Sequence, residues 1–385
     1  MCSQLSLQHT NLTEVTADDN MATLKDGTDT IALAAFNKDA HLLAHKFGRP
    51  QPGPNDVKID VKFCGMCHSD LHACNGDWGM EFFPITPGHE IAGLISEVGS
   101  DVTKFKVGDR VGVGVFVDSC FECPQCLVGD QNYCTEVQEA YGTVYTVGLG
   151  HDGCADYHTN GGYSSQITVR SDFVFSAPEK IDLSYLGPLL CAGITMFSPL
   201  NRHVLKPGGK KVVGIIGFGG LGQIGVKLAK AMGADVTVLS RSMIKSEQAA
   251  KLGADILAHT DAAAMEGAAN TFDVILDTVS AEHDVAKFLP TLKVSATYVC
   301  IGVVVTCCNA SPFALISRNL KLEGSLVGGI PETQQMLDFC NEHDIKPEIK
   351  VIHAKDASAQ FETLAKGDAD IYRAVIDMST LADLF

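Results

Sequence analysis

The sequence predicts an α/β protein with a β-rich domain followed by a doubly wound parallel sheet. Three observations carry this. Segments rich in Val, Ile and Phe near 58–63, 91–98 and 110–117 are bounded by Gly and Pro at 52–54, 87–88 and 108, the mark of short strands in a compact β domain. From residue 211 onward, strand and helix patterns alternate, as in a parallel sheet with crossover helices. A glycine-rich turn joins the first strand of that region to its helix. At 385 residues and 46% hydrophobic content the chain is long and apolar enough for two cores.

Between the two regions lies "CFECPQCLVGDQNYC", 120–134, with spacing C-x2-C-x2-C-x7-C. Cys120, Cys123, Cys126 and Cys134 can converge on one tetrahedral zinc, a closed structural site. An iron–sulfur cluster is the chemical competitor for the first three cysteines, and the domain that follows argues against it.

The second region opens with a strand at 211–216. Residues 221–232 have helical period, with Leu221, Ile224, Gly225, Leu228, Ala229 and Met232 on one face, and 235–239 is the next strand. Gly217, Gly219 and Gly222 form G-x-G-x-x-G at the turn, completed by Phe218, Gly220 and Leu221. Gly217 permits the tight turn, Gly219 lets a pyrophosphate approach, and Gly222 lets helix and strand pack closely. The helix start offers free N–H groups to the anion. An NAD enzyme usually carries an acid at the end of the second strand. This chain has Ser240, Arg241, Ser242 and Lys245 there, hydroxyls and cations that suit a 2′-phosphate, so NADP(H) is expected. Apolar segments near 256, 273–277, 297–302 and 321–327 complete six strands. Pro331 begins a helix, and "IYRAVIDM" returns to the first domain.

The net charge of −17 argues against a nucleic-acid partner. No uninterrupted apolar stretch suggests a membrane span, and residues 1–30 are acidic and polar, unlike a signal or transit peptide. Clustered thiols among fourteen cysteines suit a reducing, cytoplasmic setting and a metal rather than disulfides.

Several motifs together resemble the zinc-dependent medium-chain alcohol dehydrogenases, within them the cinnamyl-alcohol-dehydrogenase-like group. They are "CGMCHSDLH" (64–72), "PGHEIAGLISEVGSDVTKFKVGDRVGVG" (87–114), the four-cysteine lobe, "LLCAGITMFSPL" (189–200), "GFGGLG" (217–222) and "GSLVGG" (324–329). The resemblance runs from about residue 30 to the end. It implies a GroES-like catalytic domain (31–191 and 331–385, with the lobe at 118–136) and a Rossmann domain (192–330), leaving 1–30 as an extension. It implies a second, catalytic zinc bound by Cys67, His89 and Cys191, with Glu90 a ligand in one state or a neighbour of the site. Such a zinc, with an open position, would act as a Lewis acid toward an alcohol or aldehyde oxygen while hydride passes to or from the nicotinamide. Ser69 and His72, three residues apart on a short helix, match a proton relay, and Asp70 would orient the loop. His68, Thr195, Thr278, Gly302 and Ser325 match cofactor-contact positions. Cys64, Cys74, Cys154, Cys300, Cys307, Cys308 and Cys340 have no role in the pattern. Glu139 stands where lignin enzymes of the group carry a pocket tryptophan, Trp78 could wall the pocket, and 147–158 reads as an insertion, so a broad primary-aldehyde reductase is expected. A homodimer through the nucleotide-binding sheets is expected too. The alternatives are a reductase of conjugated C=C bonds and a non-catalytic zinc/NADP-binding protein.

Overall fold

A computed structural model of the chain describes residues 28–79, 83–143, 158–205, 209–304, 309–366 and 373–385. The expected extension lies outside them except for 28–30, as does the expected insertion except for His158. Cys154, Cys307 and Cys308 lie outside them as well.

An antiparallel pair, β1 (Thr28–Ala35) and β2 (Leu42–Arg49), opens the described chain. The first large sheet is built on β3 (Asp56–Gly65), which pairs antiparallel with β4 (Ile91–Val98). β5 (Arg110–Val113) follows β4, whereas β6 (Phe116–Asp118) leaves the sheet to pair with β7 (Gln138–Glu139). The single strand expected at 110–117 is therefore two. The break falls at Gly114, which passes so close to the Leu190 carbonyl that a Cβ there would lie 2.9 Å from it. β8 (Gln166–Arg170) pairs with β3, and β9 (Val174–Ser176) pairs with β5.

The second sheet holds β10 (Val212–Ile216), β11 (Asp235–Ser240), β12 (Asp255–Ala258), β13 (Phe272–Asp277), β14 (Leu292–Cys300) and β15 (Lys321–Gly324). All are parallel, in the order β12-β11-β10-β13-β14-β15. This is the doubly wound arrangement, and the direction of winding reverses between β10 and β13, where such sheets bind ligands beyond their strand ends. Buried Ile216, Leu239, Phe272, Ile275, Phe288 and Tyr298 form a second core cluster distinct from the main one, which takes in Val213, Ile215 and Leu276, so both faces of the sheet are covered. The last two strands differ from the expected 297–302 and 321–327. β14 begins at Leu292 and stops at Cys300, and β15 stops at Gly324, because 325–329 leave the sheet before the helix that starts at Ile330.

The helix at Pro331 spans Ile330–Glu342, with the proline in its first turn where no N–H is needed. The chain then returns. β16 (Lys350–His353) pairs with β17 (Ala374–Asp377), and β17 joins Phe63–Gly65 of β3.

One continuous helix, Leu183–His203, is long and apolar enough to cross a membrane by length and composition, although Ser184, Pro188, Ser198 and Pro199 interrupt its apolar run. It is mostly buried inside the protein as a core helix.

Candidate active site and metal centres

Cys67 ends the strand-like run from β3 and is the N-cap of the helix His68–Asn75. Asp70 closes the cap by accepting the Cys67 N–H at 2.8 Å. A thiolate at a helix N-terminus is favoured by the exposed N–H groups. The Cys67 thiol is held well below its ordinary range, chiefly by the Cys191 thiol, 4.0 Å away, against the cost of burial, with Arg373 and His89 adding positive charge.

His89 and Glu90 sit on the turn before β4. Gly88 adopts φ +104°, and a Cβ there would strike Tyr163 at 2.5 Å, so this turn requires glycine. His89 Nδ1 lies 3.1 Å from Asp70 Oδ1 and 3.2 Å from the Tyr141 hydroxyl, while Nε2 faces Cys191 Sγ at 3.3 Å. Burial opposes charge on His89; the Asp70 carboxylate outweighs it and raises the proton affinity of the ring. Nδ1–H toward Asp70 leaves Nε2 free for a metal. Cys191 comes from the long helix, at a π-helical turn, Leu189–Gly193, inserted between α-helical stretches. Such turns re-aim side chains and are frequent at functional sites.

Glu90 is fully buried, 3.2 Å from Arg373, which also donates to the Met66 carbonyl at 3.0 Å. Burial pushes the Glu90 carboxyl up to about 7, partly opposed by Arg373. Among the described residues neither Glu90 oxygen accepts a hydrogen bond, Arg373 being its ion-pair partner. One ligand atom each from Cys67, His89, Glu90 and Cys191 lies within 4.8 Å of the others. Two sulfurs on a tetrahedral zinc sit roughly 3.8 Å apart, close to the Cys67–Cys191 spacing of 4.0 Å. The donor set of two thiols, an imidazole and a buried carboxylate fits zinc.

The lobe fits a second ion. The four sulfurs of Cys120, Cys123, Cys126 and Cys134 lie within 4.8 Å of one another, with Cys120 3.9 Å from Cys126 and 3.5 Å from Cys134. All four are free thiols. Cys120 accepts the Cys123 N–H and Cys134 accepts the Glu136 N–H, each at 3.4 Å, bonds that favour thiolates. The Cys126 backbone amide helps lower the Cys123 thiol to about 7.

At the parallel sheet, Gly217 has φ +91°, and a Cβ on Gly222 would lie 2.2 Å from the Gly217 carbonyl. A Cβ on Gly219 meets nothing within 4 Å, which leaves the turn open to a ligand. Gly220 and Leu221 begin the helix Gly220–Ala231, and Phe218 is buried with its carbonyl accepting Lys245 Nζ at 3.2 Å. Ser240 ends β11; its hydroxyl accepts the Ser242 N–H at 3.4 Å, and the Arg241 side chain is exposed.

The profile described as alcohol dehydrogenase GroES-like domain matches residues 53–179, and that described as zinc-binding dehydrogenase matches 220–342. An NADP-dependent alcohol dehydrogenase C from Mycolicibacterium smegmatis is 46% identical over 352 residues, covering 91% of this chain and 98% of that one. The chain belongs to the zinc-dependent medium-chain alcohol dehydrogenases. Among solved structures, a cinnamyl alcohol dehydrogenase from Sorghum bicolor superposes with a TM-score of 0.86 at 40% identity, over 91% of this chain and 98% of that one. One from Helicobacter pylori, complexed with NADP(H), gives 0.82 at 38%, over 92% and 99%. These place the dehydrogenase in the cinnamyl-alcohol-dehydrogenase-like group.

In the dehydrogenase, Ser69 Oγ lies 3.6 Å from Cys67 Sγ. His72, one turn along the same helix, is half-exposed and bonded through Nδ1 to Asp77 at 2.8 Å, with the Trp78 ring 5.3 Å away. Ser69 thus touches the buried cluster, and His72 lies toward the solvent side on the same helix. Asp70 stands apart from that line. It is fully buried and also accepts the Gly88 N–H and the Tyr163 hydroxyl, so it positions His89 and Cys67. His68 is exposed and engages the Leu364 carbonyl at 3.1 Å.

Thr195 bonds its hydroxyl to the Cys191 carbonyl at 2.7 Å, one turn back on the helix that carries that ligand. Thr278 bonds to the Ile216 carbonyl at 2.8 Å beside Gly217, and Gly302 packs on Val279, so these three segments meet at the strand ends. Ser325 accepts from Arg202 at 2.8 Å. Cys64, Cys74 and Cys340 are buried among core side chains, and burial raises each thiol. Sequence reasoning missed Arg373, Tyr141 and Tyr163. A single arginine ahead of a late strand was the only signal for the first, and nothing local marked the tyrosines.

Proposed function

We propose that this dehydrogenase interconverts primary alcohols and aldehydes, whether aromatic, allylic or aliphatic, using NADP(H). The observation that carries the proposal is the convergence of buried Cys67, His89, Glu90 and Cys191. Zinc bound there would supply Lewis acidity toward the substrate oxygen, and the nicotinamide would accept or return hydride. We assign two zinc ions per subunit, one to this cluster and one to the four-cysteine lobe. The catalytic domain comprises 31–191 and 331–385, and the nucleotide-binding domain 192–330.

Ser69 Oγ is the group that takes the substrate proton, by its place beside Cys67, and His72, its imidazole fixed by Asp77, is the group that releases a proton to solvent; the cofactor ribose would complete the path between them. Ser240, Arg241, Ser242 and Lys245 receive the 2′-phosphate. The absence of a carboxylate at the end of β11 supports NADP(H) over NAD, since an acid there would repel that phosphate. His68, Gly217–Gly222, Thr195, Thr278, Gly302 and Ser325 complete the cofactor cleft. A homodimer is supported by the edge position of β15 and by exposed Phe313 and Ile316 on the helix leading into it. Clustered free thiols support a cytoplasmic setting.

NADPH oxidation by the purified protein against a panel of aldehydes, one of them an α,β-unsaturated aldehyde, tests the reading. The unsaturated alcohol is the expected product. A saturated aldehyde would mean C=C reduction, and no turnover on any aldehyde would favour a non-catalytic role.

A further inference from the structure

The four-cysteine lobe is fastened to the cofactor side of the molecule by three consecutive residues. Gln131–Tyr133 form a tight turn between Cys126 and Cys134. Asn132 Nδ2 donates to the Leu326 carbonyl at 2.7 Å, and the Tyr133 hydroxyl accepts the Leu326 N–H at 3.2 Å. Gln131 Oε1 accepts the Ile330 N–H at 3.1 Å. Gln131 is in turn tied to the cysteines: its Nε2 donates to the Cys126 carbonyl at 3.2 Å, and its carbonyl accepts the Cys134 N–H at 3.0 Å. The two main chains touch, since a Cβ on Gly329 would lie 1.7 Å from the Gly129 carbonyl.

The turn so gripped is held away from its preferred conformation. Val327 has φ +39°, in the left-handed region that a β-branched residue avoids, and it is buried. On its other side Gly328 presses on Ile194, where a Cβ would lie 2.6 Å from that side chain. Ile194 precedes Thr195 and stands three residues beyond Cys191. The turn is therefore wedged between the cysteine lobe and the helix that carries a catalytic-zinc ligand.

We propose that Gln131, Asn132 and Tyr133 are positioning residues for NADP(H): the lobe holds the strained 325–329 turn in its cofactor-binding shape. This rests on the proposed function, which places the cofactor against Ser325. The lobe then acts by pre-organisation. If its bonds are lost, the turn relaxes at Val327, the competent shape is populated less, and apparent affinity falls by that fraction.

The test is NADPH affinity, read by fluorescence titration, alongside zinc content and melting temperature. Asn132→Ala is expected to keep its zinc and bind NADPH about tenfold more weakly, and Tyr133→Phe about threefold. Val327→Gly removes the strain, because glycine takes that φ freely. Added to Asn132→Ala, it should recover most of the lost affinity. Should Asn132→Ala shed zinc, Tyr133→Phe, which removes one hydroxyl from an exposed side chain, decides alone. Affinities within about twofold of the unmodified chain in both variants, or a loss that Val327→Gly leaves in place, overturn the inference. An unmodified chain that binds no NADPH defeats the proposed function and this inference with it. Binding intact but insensitive to these variants defeats only the inference.

Discussion

Asp70 Oδ1 lies 3.1 Å from His89 Nδ1, with both side chains almost completely buried. This pair fixes which ring nitrogen faces the cysteines. Asp70→Asn keeps the shape and removes the charge. The catalytic centre should then bind zinc about 10–100-fold more weakly, while the lobe keeps its ion. Competition with a chelator checks this. Equal retention at both centres would show that Asp70 does not tune the ligand.

Ser69 stands between Cys67 and His72 on one short helix. Ser69→Ala should lower alcohol oxidation about a hundredfold, and His72→Gln by less, because solvent can reach that end. Added imidazole should partly restore His72→Gln. Activity of Ser69→Ala within a few-fold of the unmodified enzyme would rule the relay out.

The proposed function assigns cofactor choice to the end of β11. Ser240→Asp places a carboxylate where the 2′-phosphate is expected, and should lower kcat/KM with NADPH by about 10–100-fold while sparing NADH. A parallel loss with both cofactors would mean that Ser240 lies outside the discriminating contact.

Asp118 is fully buried, one oxygen lacks a hydrogen bond, and its nearest cation, Arg170, is 3.8 Å away. Burial pushes its carboxyl up to about 6. A folded pKa above the unfolded one means that ionisation favours unfolding, so the cost is absent at low pH and complete above about 6. Asp118→Asn should therefore stabilise the protein by about 2–3 kcal/mol at pH 7.5, with the gain fading as pH falls toward 4. Denaturant melts at the two pH values check it; a gain that does not change with pH contradicts the assignment.

What could be read in advance followed from how local each feature is. Gly217, Gly219 and Gly222 were legible because a strand-to-helix turn imposes its demands within six residues. Cys120 to Cys134 were legible because one loop carries all four thiols. The cluster of Cys67, His89, Glu90 and Cys191 is not derivable from spacing. Cys67 caps a helix, His89 sits on the turn before β4, and Cys191 lies on a π-helical turn, so only the resemblance joined them. Arg373 reaches Glu90 only because β17 folds back onto β3. The broken strand at Gly114 and the positive φ of Val327 arise from tertiary contacts with Leu190, Ile194 and the lobe, which no local pattern carries.

Zinc stoichiometry in the unmodified enzyme and in Cys191→Ser, measured beside aldehyde-dependent NADPH oxidation, decides whether a second metal centre drives the chemistry. Two zinc ions per chain are expected in the active enzyme, matching the two ligand clusters, and one, held in the lobe, in an inactive Cys191→Ser. A fully active unmodified enzyme holding zinc only at Cys120, Cys123, Cys126 and Cys134 would contradict it.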